Sequence, residues 1–349
     1  MAITGVREID ALLAGQSAAP LTAQTCTPEA TGFLQDLLIG HDFNLPGPLA
    51  PARGRFGPQT TAAIRQFQRA RHLPVTGSVD SATLRAMTAP GWPNPIACCG
   101  YVALVLDIAH TGMASVVTFV SQCEGAGRFA AMNRNTDRAG LSFGLIQWAQ
   151  KPLRLHELLR AFQQQEADAF AEVFGDGDVA LANGLLDHTG RKRGGTTSAG
   201  ATTDSSFDLT RAPWTNRFRR AGRDLRLQRV QMNLAIDTFT RSFQQLQISA
   251  PEVQSTRGIA FLLDVANQHG DAGAASIVTA VREPGQTEAD LLRAIENESV
   301  RRVARQFGAG SREAVATRNR RAAFRTTTQL AGPSLPRPAA ESGPLRVRA

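Results

Sequence analysis

The sequence predicts a mainly α-helical protein with two folded domains, a small one of three helices followed by a larger helical one. Apolar residues recur at spacings of three and four in most segments, which is the pattern of amphipathic helices. Turns rich in Pro and Gly interrupt the first hundred residues at short intervals. The 349 residues are sufficient for two domains, because single cores usually stop growing at about 250 to 300 residues.

Composition limits the classes of partner. With 42% hydrophobic and 19% charged residues, most of the chain should fold. The net charge of +8 fits a polyanion, either a nucleic acid or an anionic cell wall, although a bias toward Arg explains it equally well, since Lys151 and Lys192 are the only lysines. No Arg cluster alternates with aromatic residues as single-strand binders require. We therefore expect no nucleic-acid partner.

Residues 1–25 read as a short N-terminal arm, and residues 26–90 read as the small domain. Three helices are predicted there. The first has Thr27 before Pro28 as its N-cap and the second begins near Thr60, while the third has Asp80 or Ser81 as its cap. Their apolar stripes are Phe33, Leu34, Leu37 and Leu38, then Ala63, Ile64, Phe67 and Leu73, then Leu84 and Met87.

The order "LQDLL" and then "GRFGPQTTAAIRQFQRARHLPVTGSVDSATLRAM" resembles the three-helix peptidoglycan-binding module of bacterial and phage wall hydrolases. The resemblance implies a groove for glycan or stem peptide, with Phe56, Thr60, Phe67 and Gln68 as the wall-binding positions. The insertion "NLPGPLAPAR" before Gly54 departs from the family, which more often has a tight acidic turn there. A small helical linker domain is the alternative.

Residues 91–330 read as the larger domain, helical throughout, followed by a disordered tail over residues 331–349. The apolar run 102–120 has Asp107 and His110 near its middle, so one or two buried helices are predicted in place of a membrane span. Residues 187–206 are polar and rich in Gly and Thr, which predicts a surface loop.

Two carboxylates stand out in this domain. The helical run "VVTFVSQCEG" ends at Gly125 and leaves Glu124 in its last turn beside apolar residues, while Asp137 lies in the polar stretch "NRNTDR". Glycosidic bond cleavage needs one protonated and one ionised carboxyl group. An apolar helix end favours the protonated form and a polar loop favours the ionised form. The alternative is that both are ordinary surface acids.

The segment "AGLSFGLIQW" resembles the stretch that follows the catalytic carboxylate in the lysozyme-like superfamily, most closely in its chitosanase-type branch. The matching positions are Asp137, Gly140, Ser142, Gly144, Leu145 and Ile146. The resemblance implies that Glu124 is the general acid, that Asp137 is the general base and that Ser142 helps to hold the attacking water. Residues 260–273 resemble a helix of the same branch, which adds Asp264, Gln268 and His269 as substrate-binding candidates.

Gln147 and Trp148 follow this motif and suit a sugar, because an indole face packs on a pyranose and an amide binds its hydroxyl groups. Core packing behind the segment is the alternative for both residues. The chain departs from chitosanases in the shorter interval from Glu124 to Asp137 and in Gln147-Trp148 at a Gly-aromatic position.

These patterns together predict a muramidase-like hydrolase of peptidoglycan or a related amino-sugar polysaccharide, of the bacteriolytic or endolysin type. The alternatives are a chitosanase-like hydrolase, a lytic transglycosylase in which Glu124 acts alone, a non-catalytic wall-binding protein and an Arg-rich nucleic-acid binder.

No cofactor or metal is expected, because the six histidines are scattered and no nucleotide-binding motif is present. Adjacent Cys98 and Cys99 form no CxxC pair with Cys26 or Cys123, and the pattern leaves their disulfide state open. The first residues lack the features of a secretory signal peptide. We expect a monomer that is secreted or delivered to the cell wall by another route, as a phage-type lysin or a toxin would be.

Overall fold

The computed structural model describes residues 4–47, 50, 52–89, 95–109, 112–134, 140–191, 207–327, 330 and 332. Over these residues the protein has fifteen helices and three short strands, which confirms the mainly α fold class. Contacts divide the chain into two compact units, Met1–Ile236 and Asp237–Ala349. The division lies inside the region 91–330 that the sequence predicts to be one domain.

The three helices predicted for the small domain are present. They are α2 (Pro28–Gly40), α3 (Pro58–Ala70) and α4 (Ser81–Thr88). The Thr27 hydroxyl accepts a hydrogen bond from Ala30 N at 3.2 Å, and the Asp80 carboxylate accepts one from Thr83 N at 2.7 Å. Both predicted caps therefore start their helices, since each satisfies a backbone N–H that has no partner inside the helix.

The segment predicted as an arm contains a further helix, α1 (Arg7–Leu13), which packs on α2 and α4. Ile9 and Leu12 lie one turn apart on its buried face. Farther along, Leu21 and Val79 exchange backbone hydrogen bonds of 2.9 Å in each direction. The apolar residues Val6, Ile9 and Leu12 follow one another at three-residue spacing and attach this segment to the module.

Two helices and a small sheet come next. Helices α5 (Cys99–Leu104) and α6 (Met113–Gly125) are the buried helices predicted in place of a membrane span. Among the described helices, none has the length and apolar character to cross a membrane. The sheet is antiparallel, in the order β1-β2-β3, with strands Met132–Arg134, Leu141–Phe143 and Trp148–Ala149. These strands were not predicted, because two or three residues are too few to show an alternating pattern.

The rest of the first unit is helical and aromatic in its core. Its helices are α7 (Arg154–Gln165), α8 (Ala167–Gly175), α9 (Val179–Gly190), α10 (Trp214–Ala221) and the first half of α11 (Leu225–Ser249). The ring centroids of Phe174 and Phe218 lie 5.1 Å apart, which joins α8 to α10. Helix α9 continues to Gly190, so the predicted loop at 187–206 begins later than expected, and its residues 192–206 lie outside the described residues.

The second unit is built from helices. It contains the end of α11, then α12 (Thr256–His269), α13 (Asp271–Val281), α14 (Glu288–Phe307) and α15 (Arg312–Thr326). Ser255, Thr287 and Ser311 each cap a helix with a side-chain oxygen. The Arg257 guanidinium donates to the Leu330 carbonyl at 3.1 Å. Apart from Gly332, the predicted tail lies outside the described residues.

Candidate active site

Glu124 lies in the last turn of α6 and is half-buried. The helix ends at Gly125, as predicted, because Ala126 takes a left-handed conformation. Gly125 has no space for a side chain, since a Cβ atom there would stand 2.2 Å from the Ala131 Cβ atom. The turn that carries Glu124 is thus pressed against the residue that precedes β1.

Ser142 lies on the central strand of the sheet, opposite Asn133 on β1 and Ala149 on β3. Its side chain is almost completely buried. Asp137 falls in the segment 135–139, which connects β1 to β2 and lies outside the described residues. Glu124 therefore lies at the end of the helix that precedes the sheet, and Asp137 falls in the chain between its first two strands.

Gln147 and Trp148 support the sheet from within. Gln147 has a left-handed backbone in the turn before β3, and its amide donates to the carbonyl oxygens of Gly144 at 2.9 Å and Ala131 at 3.3 Å. The Trp148 ring is 1% exposed and its residue pairs with Phe143 across the strands. Trp148 therefore has the core position that was the alternative to sugar contact, because its strand turns this side chain inward.

Two fully buried glutamines on α11 were missed in the sequence, and one of them, Gln231, contacts the turn between β2 and β3. Gln231 accepts a hydrogen bond from Leu145 N at 2.9 Å and donates one to Phe129 O at 3.1 Å. Gln228 accepts from the Tyr101 hydroxyl and donates to Gly222 O at 2.9 Å. Burial raises the pKa of Tyr101. The one available signal was an amide on an otherwise apolar helical face, and it does not identify partners about a hundred residues away.

The three candidates on α12 occupy an internal network of the second unit, not the exposed cleft position that the sequence predicted. Asp264 and Arg321 are fully buried and form an ion pair. The Gln268 amide donates to Thr317 Oγ1 at 2.7 Å and accepts from the Arg321 guanidinium at 2.7 Å. The physical reason is that this face of α12 packs on α14 and α15, where a buried Arg needs acceptors.

His269 closes this network at the end of α12. Its Nε2 atom lies 3.0 Å from the Ser299 hydroxyl on α14. Burial, followed by the nearby charges of Arg321 and Arg302, lowers the pKa of His269 to about 4. The imidazole is therefore neutral at physiological pH.

In the N-terminal module, three of the four predicted wall-binding residues are buried. Gln68 accepts from Gly77 N at 3.0 Å and donates to Ser78 O at 2.8 Å, which fixes the turn between α3 and α4. The Thr60 hydroxyl accepts from Gln35 at 3.1 Å. The Phe67 ring lies 5.0 Å from that of His41. These contacts give the three residues a part in packing, whereas Phe56 is partly exposed.

The insertion before Gly54 is anchored at its end. The Arg53 guanidinium forms a two-pronged ion pair with Asp36 on α2, one of its bonds being 2.6 Å. Gln35 accepts from Gly54 N at 3.0 Å. The insertion therefore joins α2 to α3 through charged and amide contacts in place of the tight acidic turn.

No group of three or more His, Cys, Asp or Glu side chains is placed to hold a metal ion among the residues that the structure describes. The described residues of the site include the carboxyl group of Glu124, the hydroxyl of Ser142 and the amides of Gln147 and Gln231.

Comparisons with known proteins bear on the N-terminal module most directly. Residues 27–87 match the family model described as "Putative peptidoglycan binding domain". This match confirms the predicted resemblance, so the chain carries a module of this kind at its N-terminal end. No curated protein matches the chain. Among solved structures, a mutant chitosanase from Bacillus subtilis MY002 complexed with 6 GlcN aligns with 11% identity and a TM-score of 0.44, over 62% of this chain and 85% of that one.

Proposed function

We propose that the protein is a cell-wall glycan hydrolase that cleaves β-1,4 linkages of an amino-sugar polymer, with peptidoglycan as its substrate. The observation that carries the proposal is the position of Glu124, half-buried in the last turn of α6 and flanking the sheet whose β1–β2 connection contains Asp137. The peptidoglycan-binding module in the same chain supports this choice of substrate.

The surroundings of Glu124 suit a general acid. The helix that leads to it buries Phe119 and Val120, and Gly125 packs closely against Ala131. The carboxyl group is therefore carried by a packed helix end while its residue stays half-exposed. A proton donor must be both fixed and reachable, because the glycosidic oxygen has to come within hydrogen-bond distance of it.

The reaction then follows with two carboxyl groups. Glu124 gives its proton to the glycosidic oxygen as the bond from the anomeric carbon to that oxygen breaks. A water molecule adds to the anomeric carbon from the opposite face and gives its proton to Asp137. This inverting course requires about 6.5 to 9.5 Å between the carboxyl groups. The Ser142 hydroxyl is the proposed partner of the water.

The module supplies substrate affinity that the catalytic site does not need to provide. Tethering a domain beside its polymer makes the second binding event intramolecular and raises the local substrate concentration. We propose that the protein acts at the cell wall, outside the membrane, as a monomer.

The first test compares reducing-end release from purified peptidoglycan by the wild type, by Glu124→Gln and by Glu166→Gln, with chitosan in parallel. Loss of the acid should lower kcat by about 10² to 10⁴-fold. Glu166 is an exposed residue at the junction of α7 and α8, so its substitution controls for a lost negative charge. Release only from chitosan would move the substrate to that polymer.

Two outcomes distinguish the alternatives. If the wild type sediments with peptidoglycan and releases neither reducing ends nor soluble glycan fragments, the protein is a binding protein and the hydrolase proposal fails. If Asp137→Asn leaves turnover intact and the products lack reducing ends, Glu124 acts alone as in a lytic transglycosylase. Inversion at the anomeric carbon, measured by NMR of early products, is the result that the proposal requires.

A further inference from the structure

Gln231 joins two segments that are far apart in sequence. Its carbonyl oxygen accepts from Leu145 N at 2.9 Å, and its amide nitrogen donates to Phe129 O at 3.1 Å. The side chain is fully buried. Both ends of one amide are therefore used, one on the chain that leaves α6 and the other on the turn between β2 and β3.

These two segments also contact each other close to Glu124 in the chain. Gly125 packs against Ala131, and the Ala131 carbonyl accepts from Gly144 N at 2.8 Å. Gly144 has φ +82°, and a Cβ atom there would stand 2.5 Å from the Gln231 carbonyl oxygen. The amide thus fits against a backbone position that only glycine occupies without strain.

We propose that Gln231 is a positioning residue for the proposed hydrolysis, acting through the β2–β3 turn on the distance between the end of α6 and the strand that carries Ser142. The inference rests on the proposed function. Gln231 touches no reacting atom. It fixes the relative position of the segment after Glu124 and the segment after Ser142.

An amide suits this position because it donates and accepts without carrying a charge. Met has a similar shape but provides neither bond. A carboxyl group at this position provides both bonds only when it is protonated, and burial raises the pKa of a carboxyl group. These differences give the test a pH signature that a general loss of stability does not have.

Gln228 provides a matched control on the same helix. It lies three residues earlier, is also fully buried and also uses both ends of its amide. Its partners are Tyr101 and Gly222, which pack on Phe129 and Ala130 of the segment after α6 and do not lie in the β2–β3 turn. Gln231→Met and Gln228→Met therefore each remove two bonds of a buried amide, but Gln231→Met alone breaks the bond to the β2–β3 turn.

The experiment measures kcat and KM on peptidoglycan for the wild type, Gln231→Met and Gln228→Met. The assay temperature is one at which urea unfolding curves show that all three proteins are folded in the absence of urea. Gln231→Met should lower kcat by about tenfold to a hundredfold, as a displacement near 1 Å does, with KM changed less than threefold. Gln228→Met should keep kcat within threefold of the wild type. Equal losses in both variants, or no loss in Gln231→Met, would overturn the proposal.

Gln231→Glu sharpens the test. Its kcat relative to the wild type should be highest at acidic pH and fall as the introduced carboxyl group ionises. A ratio that does not change with pH would contradict the two-bond role.

Hydrogen exchange over residues 141–149 separates this inference from the proposed function. Gln231→Met should speed exchange at Leu145 and its neighbours, and Gln228→Met should not. If the wild type releases no glycan, the proposed function fails and the catalytic part of the inference fails with it. The exchange measurement then still decides whether Gln231 holds the turn.

Discussion

The region around the sheet and the second unit bury polar groups in different ways. Among the described residues from 95 to 236, the buried polar side chains are hydroxyls and amides: Thr118, Ser121, Ser142, Thr189, Thr215, Gln228 and Gln231. The second unit buries charges as well, namely Arg257, Asp264, Glu296, Glu298 and Arg321. Amides do not titrate near neutral pH, whereas buried charges depend on their partners. The buried polar groups around the helix end that carries Glu124 thus keep the same charge across the neutral pH range.

The largest expected effect comes from the buried ion pair. Asp264→Leu or Arg321→Met should each cost about 3 to 5 kcal/mol of unfolding free energy, because each removes the nearest opposite charge of a fully buried group. The double variant should recover most of this loss. Urea unfolding of the full-length protein followed by circular dichroism measures all three. Single variants that each lose less than about 1 kcal/mol would show that the pair is more hydrated than its burial indicates.

Substitution of a buried amide should lower the unfolding free energy by less than substitution in the ion pair. Gln68 in the N-terminal module is the clearest case. Gln68→Met removes the bonds to Gly77 N and Ser78 O and should cost about 1 to 3 kcal/mol, since these groups stay buried. Co-sedimentation with peptidoglycan should fall as the turn loosens. Gln66→Met, on the exposed face of the same helix, should change neither quantity. Full binding by a destabilised Gln68→Met protein would show that the turn plays no part in wall recognition.

The effect that is smallest near neutral pH is a loss of stability in acid. It tests whether the second unit, which buries charged groups, depends on pH through His269. The pKa of His269 is about 4 in the folded protein against an ordinary value of 6.5. Between these values the unfolded chain binds a proton that the folded protein does not, so stability is fully present above pH 6.5 and falls as the pH is lowered toward 4. The groups that face this imidazole are Arg302, Arg320, Arg321 and Asp264.

His269→Gln should flatten the dependence of the unfolding midpoint on pH within this window. His72→Gln, at an exposed position of the module, serves as the control. His41, whose pKa is also lowered by burial, remains in both variants and contributes the same sign. An unchanged slope in His269→Gln would assign the pH dependence to other groups.

The parts of the fold that the sequence predicts are those that local chemistry determines. The caps at Thr27 and Asp80 and the end of α6 at Gly125 each depend on residues within one helical turn. The strands escaped prediction because they are two or three residues long and owe their pairing to the buried packing beneath them. Helix α1 escaped because it is only 7 residues long, which is too short to show a helical period clearly.

The candidate site divides in the same way. Glu124 could be placed at a helix end from the sequence, because helix termination is local. The buried position of Trp148 and the pairing of Asp264 with Arg321 could not be predicted from the sequence. Both depend on which face of a strand or helix is covered by an element far away in the chain. A residue type that suits sugar binding also suits a core, and only the packing decides between them.

The N-terminal module is held on more than its own helices. Helix α1, which precedes the module in the chain, packs on α2 and α4, and helix α5, which follows the module, packs on α2. At Gly100 a Cβ atom would come 2.4 Å from the Phe33 ring, so even one methyl group is excluded there. A recombinant chimera that moved only residues 27–87 to another protein would expose these faces to water. A transferable wall anchor from this protein should extend from α1 through α5.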